Sequence, residues 1–181
     1  AKLAAAPAAT PEPAAASAPA PAPHALATPA VAKAEEVKPS KVGAPADWEF
    51  PKDRPSWLPT AGAGNRNVAP PEWAMTLDQW HTFVAACRVT ETYYSLKAEK
   101  GFVTLYDVNT HFVMPWTRMT GNSVALLMNS EMPLRAQLMI SHAWGEDIEE
   151  LAVALAALSK AHAAPRDLPI WFCTFAQYQP G

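Results

Sequence analysis

The sequence has little cysteine, no block of basic charge and no long apolar run, and each shortage removes a class of function. Cys87 and Cys173 are its two cysteines. Each stands in an apolar context without a short-spaced partner, so both read as reduced core residues rather than ligands or a bridge. An oxidising compartment is therefore not indicated. Net charge is −3 with no basic run, which argues against nucleic acid as a partner. The longest apolar stretch, Leu151 to Leu158, falls far short of the ~20 residues that a transmembrane helix needs. Arginine is absent from residues 1–46, unlike an intact transit peptide. No segment repeats and no G-x-S-x-G elbow occurs, so a nucleophile-elbow hydrolase is not expected.

What is present divides the chain unevenly. The nineteen prolines are concentrated in the first 71 residues. Residues 1–46 are mostly Ala and Pro and carry too little apolar surface to offset the entropy of ordering, so a low-complexity, polyproline-like tether is expected there. At ~3.1 Å per residue its stiffer parts would reach on the order of 100 Å. From Asp47 the character changes. Trp48, Phe50, Trp57 and Leu58 are aromatic and aliphatic anchors on a proline-stiffened backbone, which suits either a partner-docking segment over 47–75 or a strap across the chain's own domain. Gly62-Ala63-Gly64-Asn65-Arg66 follows no strand and precedes no capped helix, so it is not read as a phosphate loop.

Thr76 with Gln79 forms a capping box. It predicts a helix to about Lys100, with Leu77, Trp80, Val84, Cys87 and Tyr94 on one face and Gly101 as its stop. A second helix is expected from Leu105 to Met114, ended by Pro115, and a short one from Val124 to Met128. The focus is the stretch 136–147. Its apolar run suits a strand, Gly145 breaks it, and Asp147 with Glu150 opens a helix carrying Ile148, Leu151, Leu155 and Leu158 on one face. A second strand is expected over Ile170 to Phe175. Strand, helix, strand is the βαβ unit of a parallel sheet, so the fold class read is α/β: a partial flavodoxin-like unit preceded by helices, with a long extended Ala/Pro-rich N-terminal segment. The chain begins at Ala1 and stops at Pro180-Gly181, directly after that second strand. The expectation is a processed product or a fragment, because an open α/β sheet should continue there.

The carboxyl end of a parallel strand beside a helix start is where α/β folds bind ligands. His142, Trp144, Gly145 and Glu146 are the expected lining of that crevice, with Ser141 next to them, while Gln177 and Gln179 read as ordinary strand-end polar residues in preference to further lining. Ser141 and His142 are neighbours on a strand and point to opposite faces, so they do not make a nucleophile–base pair. The acidic cluster Glu146, Asp147, Glu149 and Glu150 favours the helix dipole and repels phosphate. His81, His111, His142, His162, Asp147 and Cys173 show no metal-ligand spacing. No metal and no cofactor are expected.

The runs Phe112-Val113-Met114-Pro115-Trp116-Thr117, Ser123 to Asn129, Ile140-Ser141-His142-Ala143-Trp144-Gly145-Glu146-Asp147 and Trp171 to Ala176 resemble a group of predicted algal, chiefly dinoflagellate, proteins. Their Ser-His-x-Trp domain is distantly similar to TIR and fungal HET-type domains. The resemblance covers about residues 76–181. It implies a TIR-like, flavodoxin-like fold that either self-assembles or cleaves NAD with a glutamate on a later helix, within a Trp-Cys-x-x-Glu-like segment that this sequence does not contain. Ser141, His142 and Trp144 carry over; Glu146 sits in the wrong element to replace that glutamate. The function expected is a non-catalytic accessory subunit that binds protein subunits of a larger complex, with no transmembrane span of its own and peripheral contact with a membrane complex. By association with algae, an organellar setting is favoured over a cytoplasmic one, a plastid photosystem–antenna assembly being one candidate. The alternative is the N-terminal part of a TIR-like NAD-cleaving enzyme.

Overall fold

The computed structural model describes residues 48–60 and 67–178, so the tether expected over 1–46 lies outside the described residues. Its architecture is mixed α/β. The elements run as a 3-10 turn Pro70–Glu72, β1 Met75–Thr76, α1 Leu77–Arg88, α2 Glu91–Lys100, α3 Leu105–Val108, a π turn Asn109–Val113, α4 Met114–Thr117, α5 Val124–Met128, β2 Leu138–Ile140, α6 Ile148–Ala161, β3 Pro169–Phe172 and α7 Cys173–Ala176.

The sheet order is β1-β3-β2. β2 and β3 pair in parallel, Leu138 opposite Ile170 and Ile140 opposite Phe172, with α6 as the connection. The sheet is larger than the two strands expected from the sequence, because β1 pairs antiparallel with β3 through Met75 and Ile170. That pairing covers the β3 edge and leaves β2 as the edge strand of the parallel pair. Asn129 fixes the approach, its amide donating to the Ala74 carbonyl at 3.2 Å and to Gln79 at 3.0 Å.

The capping box at Thr76 forms as expected: Gln79 N–H donates to the Thr76 hydroxyl at 3.0 Å, and Thr76 N–H to the Gln79 side chain at 2.8 Å. The single helix expected to Lys100 is instead two. Thr90 breaks it, accepting from Tyr93 N–H at 3.1 Å and capping α2. The break resets the helical phase, so Tyr93 is buried and Tyr94 is 64% exposed, the reverse of an uninterrupted helix. Gly101, at φ 82°, ends α2 in the left-handed conformation that glycine tolerates.

Pro115 does not end the next helix. Met114 N–H reaches back to the Asn109 carbonyl, an i→i+5 turn, and the widened ring lets the chain run on through a residue that has no N–H. The second strand also stops early, at Phe172. A strand would send Phe172 and Phe175 to opposite faces. Turning into α7 lets both rings reach Trp80, at 6.2 and 6.5 Å between centroids. The core is one cluster built around Trp80, Phe83, Phe112, Trp116, Phe172 and Phe175. Leu58 joins it at 1% exposure, held by Arg54, whose guanidinium donates to the carbonyls of Trp116, Leu58 and Pro59 at 2.7–2.8 Å.

Candidate functional site

The end of the parallel pair is where the predicted site residues meet. β2 stops at Ile140, and the chain from Ser141 to Asp147 is pinned by Val103 and the first turn of α3. Tyr106 N–H donates to the Trp144 carbonyl at 3.1 Å, and Ile148 N–H to the Val103 carbonyl at 2.9 Å. Asp147 then caps α6 through Glu149 N–H at 3.1 Å, rather than through the reciprocal box expected with Glu150.

Within this loop Ser141 is exposed while the His142 ring turns inward, its side chain 2% exposed. That is the alternation expected of neighbouring strand residues. The ring stacks on Phe172 at 4.4 Å with 17° between planes, and Trp144 lies 5.8 Å from it and 5.4 Å from Tyr106. The imidazole is thus a packed element of the strand end, not the wall of an open crevice. Gly145 is exposed, and a Cβ there would meet nothing within 4 Å, so the turn does not demand glycine.

His142 Nε2 lies 3.1 Å from Cys173 Sγ. On the other side of the ring, Nδ1 faces Glu146 Oε1 at 3.6 Å. Nδ1 and Oε1 are both buried and have no hydrogen-bond partner. A thiol, an imidazole and a carboxylate therefore line up in that order. The two outer groups approach opposite nitrogens of one ring, so they cannot converge on a single metal ion, and no group of three or more His, Cys, Asp or Glu suited to a metal occurs among the described residues.

Cys173 is the residue that sequence reasoning did not connect to this site. The readable signal was the parallel register: once Ile140 faces Phe172, the residues just past both strands must meet. Gln177 is exposed at the end of α7, and Gln179 lies outside the described residues. His111 and His162 are exposed.

In the first turn of α6 a second carboxylate has a different environment. Glu149 receives a bidentate pair from Arg88 at 2.9 and 2.8 Å and the Tyr93 hydroxyl at 2.5 Å. Burial raises the Tyr93 hydroxyl well above the usual tyrosine range, and the Glu149 charge adds to the rise. Burial also pushes the Glu149 carboxyl up, but the hydrogen bonds from Tyr93 and Arg88 outweigh it and hold the group below the ordinary range.

Of the four aromatic and aliphatic anchors, Leu58 is in the chain's own core. Trp48 and Phe50 pack edge to face at 6.3 Å, with Arg118 over the Trp48 ring and Arg54 over the Phe50 ring. Trp57 is 42% exposed. A further apolar surface lies on the outer face of the sheet. Met139 and Trp171 are cross-strand neighbours and face away from the core that Ile140, Ile170 and Phe172 fill. Met139 is 70% exposed, and with Pro70, Pro71 and Ala136 this pair lines a groove of about 440 Å³. No helix among the described residues is long and apolar enough to cross a membrane.

Comparison with protein-family models, with curated proteins and with solved structures finds no match.

Proposed function

We propose that this chain is a non-catalytic interaction subunit, which docks on a partner protein through the outer face of its sheet at the β2 edge. The observation that carries the reading is the one-sided burial of the parallel pair. Parallel strands are ordinarily covered on both faces. Here one face is filled by the common core, while Met139 and Trp171 line an apolar groove on the other. β2 also pairs with no strand on its outer side among the described residues, and an unpaired apolar edge is a template for another chain. The partner is a protein segment that supplies the missing cover, as expected of a subunit of a larger complex. We also read β2–α6–β3 as part of a flavodoxin- or TIR-like sheet; the parallel register and the connecting helix support that kinship.

The test places a photo-crosslinking amino acid at position 139 of the full chain, expressed in its source cells, with Val153 on the exposed face of α6 as control. A discrete adduct from 139 and none from 153 is expected, together with migration as part of a larger species. A chain that migrates as a free monomer and gives no adduct at 139 sinks the proposal, and consumption of NAD by the purified chain would sink its non-catalytic part.

A further inference from the structure

We propose that Cys173 is a nucleophilic thiol, with His142 as its base and Glu146 as a positioning carboxylate, which undergoes thiol–disulfide exchange with a small-molecule disulfide. This goes beyond the docking role and does not depend on it.

The electrostatics of the ring carry the argument. A neutral imidazole has one N–H. With that proton on Nε2, the Nδ1 lone pair would face the Glu146 carboxylate in a buried gap of 3.6 Å, which is repulsive. With it on Nδ1, the N–H points at the carboxylate, and Nε2 is left to accept from the Cys173 thiol at 3.1 Å. The doubly protonated ring also places a proton on Nδ1. The favoured neutral tautomer therefore aims a base at sulfur, the order that nucleophile activation requires, and the imidazolium is the state reached once the thiol proton has passed to Nε2. An approach of roughly 0.5 Å between Nδ1 and Oε1 would give an ordinary hydrogen bond and satisfy both buried orphans at once. A histidine retained for packing alone needs no such partners. Phe172 provides its stacking surface, but it does not explain why the two ring nitrogens face a thiol and a carboxylate.

Disulfide exchange is the chemistry that the surroundings favour. It needs an accessible sulfur and a proton acceptor. Cys173 is partly exposed, whereas Cys87 is fully buried, and both are free thiols. In the step, the Cys173 proton passes to His142 Nε2, and Sγ attacks one sulfur of the small disulfide. The new Sγ–S bond forms as the old S–S bond breaks, and the leaving thiolate takes the proton from the imidazolium. Cys173 is oxidised to a mixed disulfide, and the other half of the reagent is reduced to a thiol.

The test exposes the folded full chain to oxidised glutathione and to an aromatic disulfide at neutral pH, with adducts mapped by mass. One adduct at Cys173 and none at Cys87 is expected, formed faster than in the denatured chain. His142→Phe keeps a ring on Phe172 but removes the base, and is expected to slow the reaction tenfold or more, given that a positioned base contributes about 10²–10⁴ in rate. Free imidazole should restore part of the rate to His142→Ala. For Glu146 the readout is spectroscopic: nitrogen NMR of His142 should show the Nδ1–H tautomer in the native chain and a shift towards Nε2–H in Glu146→Gln. A Cys173 that reacts no faster folded than denatured overturns the proposal. So does a native Nε2–H tautomer. Should His142→Phe fail to fold, Glu146→Gln decides: an unchanged exchange rate and an unchanged tautomer overturn the proposal.

Discussion

Glu146 and Glu149 stand three residues apart at the start of α6, yet they are opposites. Glu149 accepts three hydrogen bonds from Arg88 and Tyr93, and in doing so it ties α6 to α1 and α2. Glu146 has a buried oxygen with no partner, turned towards an equally unpartnered nitrogen of His142. Their positions relative to the helix dipole are similar, so the dipole does not separate them. The difference lies in what the neighbouring element offers. α1 and α2 bring a guanidinium and a hydroxyl, groups that donate and saturate the carboxylate. The strand end brings an imidazole whose other nitrogen is engaged by a thiol. A saturated carboxylate holds helices together, and an unsatisfied one keeps capacity to direct a proton.

The hardest blow to this contrast is Phe172→Ala. Its ring is fully buried, contacts Trp80 and Phe175 and carries His142. A loss of about 3–5 kcal/mol is expected for such a truncation, read from urea denaturation. A cost near zero would show that the strand end is not anchored in the core at all.

Glu149→Ala comes next. It leaves Arg88 and the Tyr93 hydroxyl without their acceptor, but both charged side chains of the pair are 34% exposed, so screening reduces the loss to about 1 kcal/mol. Glu146→Gln should move stability by less than about 0.5 kcal/mol. Equal costs at the two glutamates, measured in the same denaturation series, would break the comparison.

Acid and alkali sharpen it further. In Asp107, burial acts to raise the carboxyl, but hydrogen bonds from Lys100 and Thr104 hold it low, as Tyr93 and Arg88 do for Glu149. Both folded values lie below the unfolded ones. Their contribution is therefore present above the usual carboxylate range near 4, and it is lost as pH falls through the lower folded values. The raised Tyr93 works the other way. Its contribution is intact below about 10 and disappears as pH climbs from there towards the folded value. Stability measured against pH should fall at both extremes, with Arg88→Met flattening the acid limb and Tyr93→Phe the alkaline one. Unaltered limbs in those variants would show that the Glu149 network does not couple to folding.

The smallest effect is expected at Trp57→Ala, within about 0.5 kcal/mol of the parent, because Trp57 is a surface residue, 42% exposed. A larger loss by thermal or urea melting would make Trp57 a structural residue rather than a free surface.

Much of this fold was legible in local pattern. The Thr76–Gln79 box, the Val124–Met128 helix, the Asp147 cap and the parallel strands around α6 all follow from spacing and capping chemistry. What escaped were choices made by the core. The break at Thr90, the π turn before Pro115 and the turn at Cys173 each re-aim an aromatic ring into one cluster, and no window of sequence contains the cluster. The candidate site was half visible. His142 and Glu146 stand out as strand-end residues, whereas Cys173, 31 residues away from His142, reads as another small hydrophobe.

The sequence by itself determined the caps at Thr76 and Asp147, the Val124–Met128 helix and the strand–helix–strand order around α6, because capping, phase and strand propensity act over a few residues. Only the tertiary structure decided which side chains face one another across those elements. Strand register and helix phase are set by burying Trp80, Phe172 and Phe175 together, and that packing brings a thiol, an imidazole and a carboxylate into line.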